Sequence, residues 1–304
     1  MLSTVKIVVL LVSVASLAAG CSTQPPHPSR DDSPGNSAVV QRAIAPRRGV
    51  PIHPMGATKY FEEQTALLVQ QGKIGTNLLR DVALRRCSLR PVPCSGSSLT
   101  PTELAESVEM GVAVVGVVVR MKKGPPQLLP SPASGFFLSQ SGALVTCRHV
   151  VEAPYVIGLS VMTRDGRVCP VREVLAVDST NDLLIVQVEG DGFTPIPVAP
   201  VPAPQAAPIW VLSHPQWRYY TLSSGIVSSY FMAGKEEVLQ MQVTADFAGG
   251  SSGAPAFNER GEVVGIAKLT EYLNSHLFDA QGRHVQMVWR VCTPSTALLN
   301  LIME

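Results

Sequence analysis

An excess of charge of either sign is missing from this chain of 304 residues. Its 24 lysines and arginines face 23 aspartates and glutamates, a formal net charge of +1. That balance lacks the electrostatic footprint of a nucleic-acid binder or of a protein held to a membrane by a basic patch. Charged residues are scarce at 15%, and aromatics at 6%. The apolar run Ile7–Gly20 falls short of the roughly 20 residues that a membrane-spanning helix needs. Nowhere do cysteines and histidines stand at the paired spacing of a zinc site. Hydrophobic residues, by contrast, make up 46%, with 24 glycines and 25 prolines. That is enough for one sizeable core, with room for a small extra domain. From Met110 onward the apolar segments are rich in valine, which favours short strands joined by turns over long helices.

The first 20 residues read as a signal peptide: one positive charge at Lys6, an apolar run, then Leu17-Ala18-Ala19-Gly20-Cys21. That ending resembles a bacterial lipobox, with Ala18 where leucine is preferred, and implies a lipid on Cys21. Simple secretion is the alternative. Ser22 is not the aspartate that resembles an inner-membrane retention signal, which in a diderm bacterium points to the outer membrane, facing the periplasm. Residues 21–55, beginning "CSTQPPHPSRDDSPGNS", hold too few apolar residues to fold and read as a linker.

Residues 56–104 read as a small helical extension. Phe61, Ala66, Leu67 and Leu68, then Ile74, Leu78 and Leu79, recur at helical spacing with a break near Gly72 and Gly75, which predicts two short helices. "CSLRPVPC" places Cys87 and Cys94 at the ends of a tight loop, the disulfide candidate for an oxidising compartment. The extension either packs on the main domain or acts as a propeptide or partner-binding module. Thr100 or Thr102 caps the next helix, with Glu103 and Glu106 in its first turns. About ten strands follow, predicting an all-β barrel or sandwich, with hairpin turns at Gly142, Gly166 and Gly261. A short helix starting at Thr293 or Ser295 closes the chain.

Three segments carry chemistry. "SGALVTCRHVVE" places His149 just after a buried strand, "DSTNDLLIVQV" places Asp182 at the mouth of another, and "FAGGSSGAPAF" places Ser252 in a glycine-flanked turn. Alone, each has a bland reading: a structural histidine, a turn aspartate, a loop serine. Together they supply base, orienting acid and nucleophile. A serine hydroxyl needs an imidazole to take its proton, and the imidazole needs a carboxylate to hold one tautomer. The developing oxyanion needs converging backbone N–H groups. Gly249, Gly250 and Gly253 permit a turn tight enough to supply them, with the N–H groups of Gly250 and Ser252 as donors.

The stretch from about Met110 resembles a trypsin-like serine protease domain of the bacterial HtrA/Deg and glutamyl-endopeptidase branch. "GSSGAP" resembles the family's G-x-S-G-G-P, with Ala254 for the second glycine, and "WVLSHPQWRYYTLSSGIVSS" resembles its "TSGIVS" hairpin. The resemblance implies an all-β double six-stranded barrel over residues 105–304 and peptide-bond hydrolysis through an acyl-enzyme by His149, Asp182 and Ser252. It implies protein or peptide substrates and no cofactor or metal. Asp178 is the runner-up acid. "GEVVGI" is similar to the strand that walls the substrate cleft, implying Ala267 as a substrate-binding residue. Asp246, six residues before Ser252, is similar to the pocket-base acid that selects Arg or Lys, or else serves loop structure. His214 reads as a turn residue beside Pro215. Only about 38 residues follow Ile266, so no PDZ-like domain is expected. Cys147 and Cys169 could bridge within the first barrel, or each of Cys147, Cys169 and Cys292 could be a free thiol. Beside the active protease stand two alternatives: a silent barrel acting as a binding module, and an enzyme latent until the Phe247–Gly253 loop is ordered. Latency predicts that removing the residues before about Thr100 raises activity.

Overall fold

The valine-rich segments fold as thirteen strands in a computed structural model that describes residues 51–74, 86–93, 96–275 and 284–302. β1 (Val112–Val119) is buried at every position because both of its faces are covered. Val115, Val117 and Val119 face a barrel interior, and Val114 and Val118 face a helix. With β3 (Ala133–Phe137), β4 (Ala143–Cys147), β5 (Val156–Met162), β6 (Val168–Asp178) and β7 (Leu183–Val188) it runs in the order β1-β3-β4-β7-β6-β5. Antiparallel pairing of β1 with β5 closes the ring. The two-residue β2 (Gln127–Leu128) pairs with the end of β1.

A second closed barrel has the order β10-β13-β12-β11-β8-β9. Its strands are β8 (Pro208–Ser213), β9 (Thr221–Ala233), β10 (Val238–Val243), β11 (Pro255–Phe257), β12 (Val263–Ser275) and β13 (His284–Pro294). The expected double six-stranded barrel is the observed fold. Thirteen strands stand where about ten were expected, because two of the expected segments are whole hairpins and β2 is too short to leave a pattern. Gly142, Gly166 and Gly261 sit in the predicted turns, each with positive φ.

One core spans both barrels: Phe136 and Leu183 from the first meet Leu212, Phe257 and Ile266 from the second. Two helices extend it. Pro101–Val108 is held by a reciprocal capping box between Thr100 and Glu103, so the cap is Thr100 and not Thr102. Ser295–Ile302 adds Leu298, Leu301 and Ile302.

Ahead of these lies α1 (Pro54–Gln70), with Pro54 in its first turn and His53 as its cap. It begins two residues before the expected start of the extension at residue 56. It ends at Gly72, where φ is 68° and the Gly72 and Lys73 N–H groups return to the carbonyls of Val69 and Leu68. Phe61 of α1 is fully buried and lies over Gly116, where an added Cβ would come 2.7 Å from its ring. The expected second helix (Leu78, Leu79), the signal peptide, Cys21, most of the linker and Cys94, hence the Cys87–Cys94 pair, lie outside the described residues. Cys147, Cys169 and Cys292 are free thiols, so the alternative of a Cys147–Cys169 bridge is set aside. No helix among the described residues is long and apolar enough to cross a membrane.

Candidate active site

β4 and β7 are neighbours with Cys147 opposite Leu183, so whatever leaves the end of β4 meets whatever enters β7. One 3₁₀ turn, Arg148–Val151, follows β4 and carries His149. Asp182 immediately precedes β7 in a left-handed conformation, φ 60°, which a short polar side chain tolerates. Its Oδ1 accepts the His149 backbone N–H at 2.8 Å, and its Oδ2 lies 2.7 Å from His149 Nδ1. Its carbonyl accepts the Arg148 N–H at 3.1 Å. A carboxylate can only accept, so the Nδ1 position carries the proton and Nε2 is left with a lone pair. Nε2 is 2.9 Å from the Ser252 hydroxyl. The Asp182 side chain is 13% exposed and that of His149 40%, so the acid is tucked behind the base. The runner-up Asp178 is occupied elsewhere: its carboxylate accepts the N–H groups of Thr180 and Asn181 and the Asn181 side-chain amide.

Ser252 lies in the turn between β10 and β11. Two of the three glycines there are obligatory. Gly250 has φ 101°, and a Cβ on it would stand 2.6 Å from the His214 carbonyl. Gly253 has φ 88°, and a Cβ would stand 2.3 Å from the Ser134 carbonyl. Gly249 meets only the end of the Gln216 side chain. The N–H groups of Ser251, Gly253 and Ala254 donate to Ala248, Ala267 and Ser251 carbonyls. Those of Gly250 and Ser252 donate to no acceptor among the described residues, which leaves both available beside the Ser252 hydroxyl.

Sequence reasoning missed the supports of this turn. Ser134, fully buried on β3, gives its hydroxyl to the Gly250 carbonyl at 2.9 Å and its N–H to the Ser252 carbonyl at 2.9 Å. A lone serine in an otherwise apolar, buried strand was the available signal. The 214–220 loop is the second support: Gln216 N–H donates to the Gly249 carbonyl at 2.9 Å. His214 itself is a fully buried turn residue whose Nδ1 accepts the Tyr220 N–H.

Two expectations about the substrate cleft need correction. The Asp246 side chain is 79% exposed and ion-paired with Arg290 at 2.9 Å, so it is not the base of a pocket. Ala267 is fully buried, with its carbonyl taken by the Gly253 N–H and its N–H by the Ala254 carbonyl. The first partly exposed residues of that wall are Lys268 and Leu269. Cys147, His149 and Asp182 bring sulfur, nitrogen and oxygen within 4.8 Å, a possible metal-ligand set. Burial, with the nearby Asp182 charge adding to it, holds the Cys147 thiol well above its usual pKa, and the thiol donates to the Ala267 carbonyl. It would have to ionise before it could ligate.

Residues 133–266 match the family model described as the trypsin-like peptidase domain. Relatives include HhoA of Synechocystis, named as a serine protease, 33% identical over 44% of this chain and 35% of its own length. A DegP-like periplasmic serine endoprotease of Hahella chejuensis is 31% identical over 52% of this chain and 32% of its own. The mitochondrial serine protease HTRA2 of Drosophila pseudoobscura is 29% identical over 46% of this chain and 34% of its own. The chain thus spans about a third of the length of the curated relatives it matches. This match falls on two closed barrels, so residues 133–266 are similar to a trypsin-like peptidase domain, and the relatives that the chain resembles are named as HtrA- and DegP-type serine proteases.

Proposed function

We propose that the chain is a serine endopeptidase in which Ser252 is the nucleophile, His149 the general base and then general acid, and Asp182 the group that orients and charge-stabilises His149. The observation that carries this reading is the continuous relay: Asp182 Oδ2 to His149 Nδ1 at 2.7 Å and Nε2 to Ser252 Oγ at 2.9 Å. His149 takes the hydroxyl proton as Ser252 attacks the peptide carbonyl. The carbonyl oxygen becomes an anion, received by the Gly250 and Ser252 N–H groups. His149 then returns the proton to the leaving amine, which departs as the acyl-enzyme forms. Water activated by the same imidazole completes hydrolysis. Every proton and charge in this sequence is handled by these residues, so no cofactor is called for.

Substrates are protein or peptide chains. Because Asp246 is already neutralised by Arg290, the cleft offers it no role in selecting a basic side chain. Residues 105–304 form the protease domain and 56–104 an extension to it. The lipobox-like ending at Cys21 and the periplasmic naming of the Hahella relative support an extracytoplasmic, lipid-anchored enzyme, with secretion as the alternative. A fluorophosphonate tests the site. Intact mass should show one adduct on the folded wild type and none on Ser252→Ala or His149→Ala. A folded wild type that takes no adduct would leave the silent-barrel reading standing.

A further inference from the structure

The 214–220 loop also contributes Arg218, Tyr219 and Tyr220 to a cavity of about 310 Å³, lined besides by Ile52, Pro54 and Arg164. Arg164 is nine-tenths buried there. Its Nε donates to Glu109 at 3.2 Å, and its guanidinium lies 4.6 Å from the centre of the Tyr220 ring. Its Nη1 is buried and has no partner among the described residues. Buried donors of this kind are rare and costly unless something fills them. Arg218, exposed at the rim, makes no side-chain hydrogen bond or ion pair among the described residues. Glu109 pairs with Arg164 and Asp165 with Arg167, which leaves the Arg218 guanidinium and Arg164 Nη1 as the unpartnered donors of this cavity among the described residues. That chemistry fits a carboxylate or a phosphate, which a guanidinium receives through paired hydrogen bonds.

We propose that this cavity is a binding site for a small oxyanion, carboxylate or phosphate, held between Arg164 and Arg218. Its placement gives the ligand a route to the catalytic turn. Arg218, Tyr219 and Tyr220 belong to the loop whose Gln216 N–H holds the Gly249 carbonyl and whose His214 carbonyl backs Gly250. Three non-glycine residues of that loop are left-handed: Gln216, Trp217 and Tyr220, at φ 48°, 61° and 55°. Such residues persist only where their surroundings hold them. A bound anion adds one more hold, and this consequence for catalysis rests on the protease reading.

Calorimetric titration of purified protein with inorganic phosphate, and separately with acetate and succinate at fixed ionic strength, tests the site. Saturable binding is expected, accompanied by a change in Trp217 fluorescence and weakened about tenfold or more by Arg218→Ala. Lys122→Ala, elsewhere on the surface, should leave it unchanged. Saturation by phosphate alone assigns the site to phosphates, and saturation by the carboxylates alone to peptide or metabolite carboxylates. Binding that Arg218→Ala leaves intact, or the absence of saturable binding by either class, overturns the proposal. Arg218 is exposed, so its loss does not threaten folding as loss of Arg164 would. Repeating the titration on Ser252→Ala separates the two readings, since the anion site needs no working nucleophile.

Discussion

The Ser134 hydroxyl donates to the Gly250 carbonyl at 2.9 Å, tying the first barrel to the residue whose N–H is the candidate oxyanion donor. The same oxygen accepts the His214 N–H at 3.2 Å, and the Ser134 carbonyl accepts the Thr146 hydroxyl at 2.8 Å. One fully buried side chain thus braces both the turn that carries Ser252 and the 214–220 loop. Ser134→Ala leaves the Gly250 carbonyl and the His214 N–H without this partner, at a cost of about 1–3 kcal/mol in stability. The larger expected effect is on kcat, a fall of about 10- to 100-fold, because a misaimed donor loses much of what an absent one would. KM should move little. An unchanged kcat in a folded variant would remove Ser134 from any positioning role.

Asp182→Asn separates charge from backbone. Asparagine tolerates the left-handed φ of 60° at least as well as aspartate, so the entry to β7 should be kept. The introduced side-chain amide can donate to Nδ1, which allows the tautomer with the proton on Nε2 and removes the lone pair that Ser252 needs. A fall in kcat of about four orders of magnitude is expected with melting temperature nearly unchanged. A loss of less than about tenfold would point to another acid.

That His149, Asp182 and Ser252 come together was legible because each sits at a strand end that local pattern marks, an apolar β-branched run meeting a polar or glycine-rich turn. The barrels were legible from the same runs. What surrounds the triad was not, because it depends on contacts between distant segments. Nothing near Ser134 announces that its hydroxyl reaches Gly250. No glycine marks the left-handed Gln216, Trp217 or Tyr220, since the packing of α1 and the Trp217 Nε1 bond to the Pro130 carbonyl hold that loop. Asp246 stands at the expected spacing from Ser252, but spacing does not say where a side chain points. Arg290, across from Val243 on the paired strand β13, draws it outward.

Burial pushes the His214 pKa down to about 3, the Arg164 cation adds to the effect, and the Ala113 backbone opposes it without giving Nε2 a hydrogen bond. The unfolded chain takes up this proton near pH 6.5 and the folded chain refuses it until about pH 3. The unfolded state therefore binds more protons inside that window, and stability falls as pH drops through it, by about 1.4 kcal/mol per unit. Above pH 6.5 the group contributes nothing to the pH dependence. His214→Asn, whose side-chain oxygen can still accept the Tyr220 N–H, should have a shallower loss between about pH 6.5 and 4. Urea unfolding of both proteins across that range gives the difference. Parallel acid limbs would mean that His214 is not the group refusing the proton.

Latency enforced by the N-terminal extension predicts activation on its removal, but the contacts of α1 argue for the opposite sign. Phe61 is fully buried and meets the Trp217 ring edge-on at 6.4 Å, and the Thr58 hydroxyl lies 2.8 Å from that of Tyr219. Both partners belong to the loop that holds Gly249 and backs Gly250. Through this loop the helix therefore braces the Gly249–Gly250 turn, and it covers Val114, Val118 and Leu128, which its removal would expose. Deleting the residues before Thr100 should lower kcat on a small ester and on unfolded casein alike, and lower the melting temperature. Phe61→Ala, costing about 3–5 kcal/mol, should reproduce the direction of both effects with the chain intact. The ester matters because it needs the oxyanion donors but is too small to be excluded by a segment lying over the cleft. If casein cleavage rises on deletion while ester cleavage holds, the extension blocks access and the latency reading returns. If both fall together, the extension is part of what shapes the site.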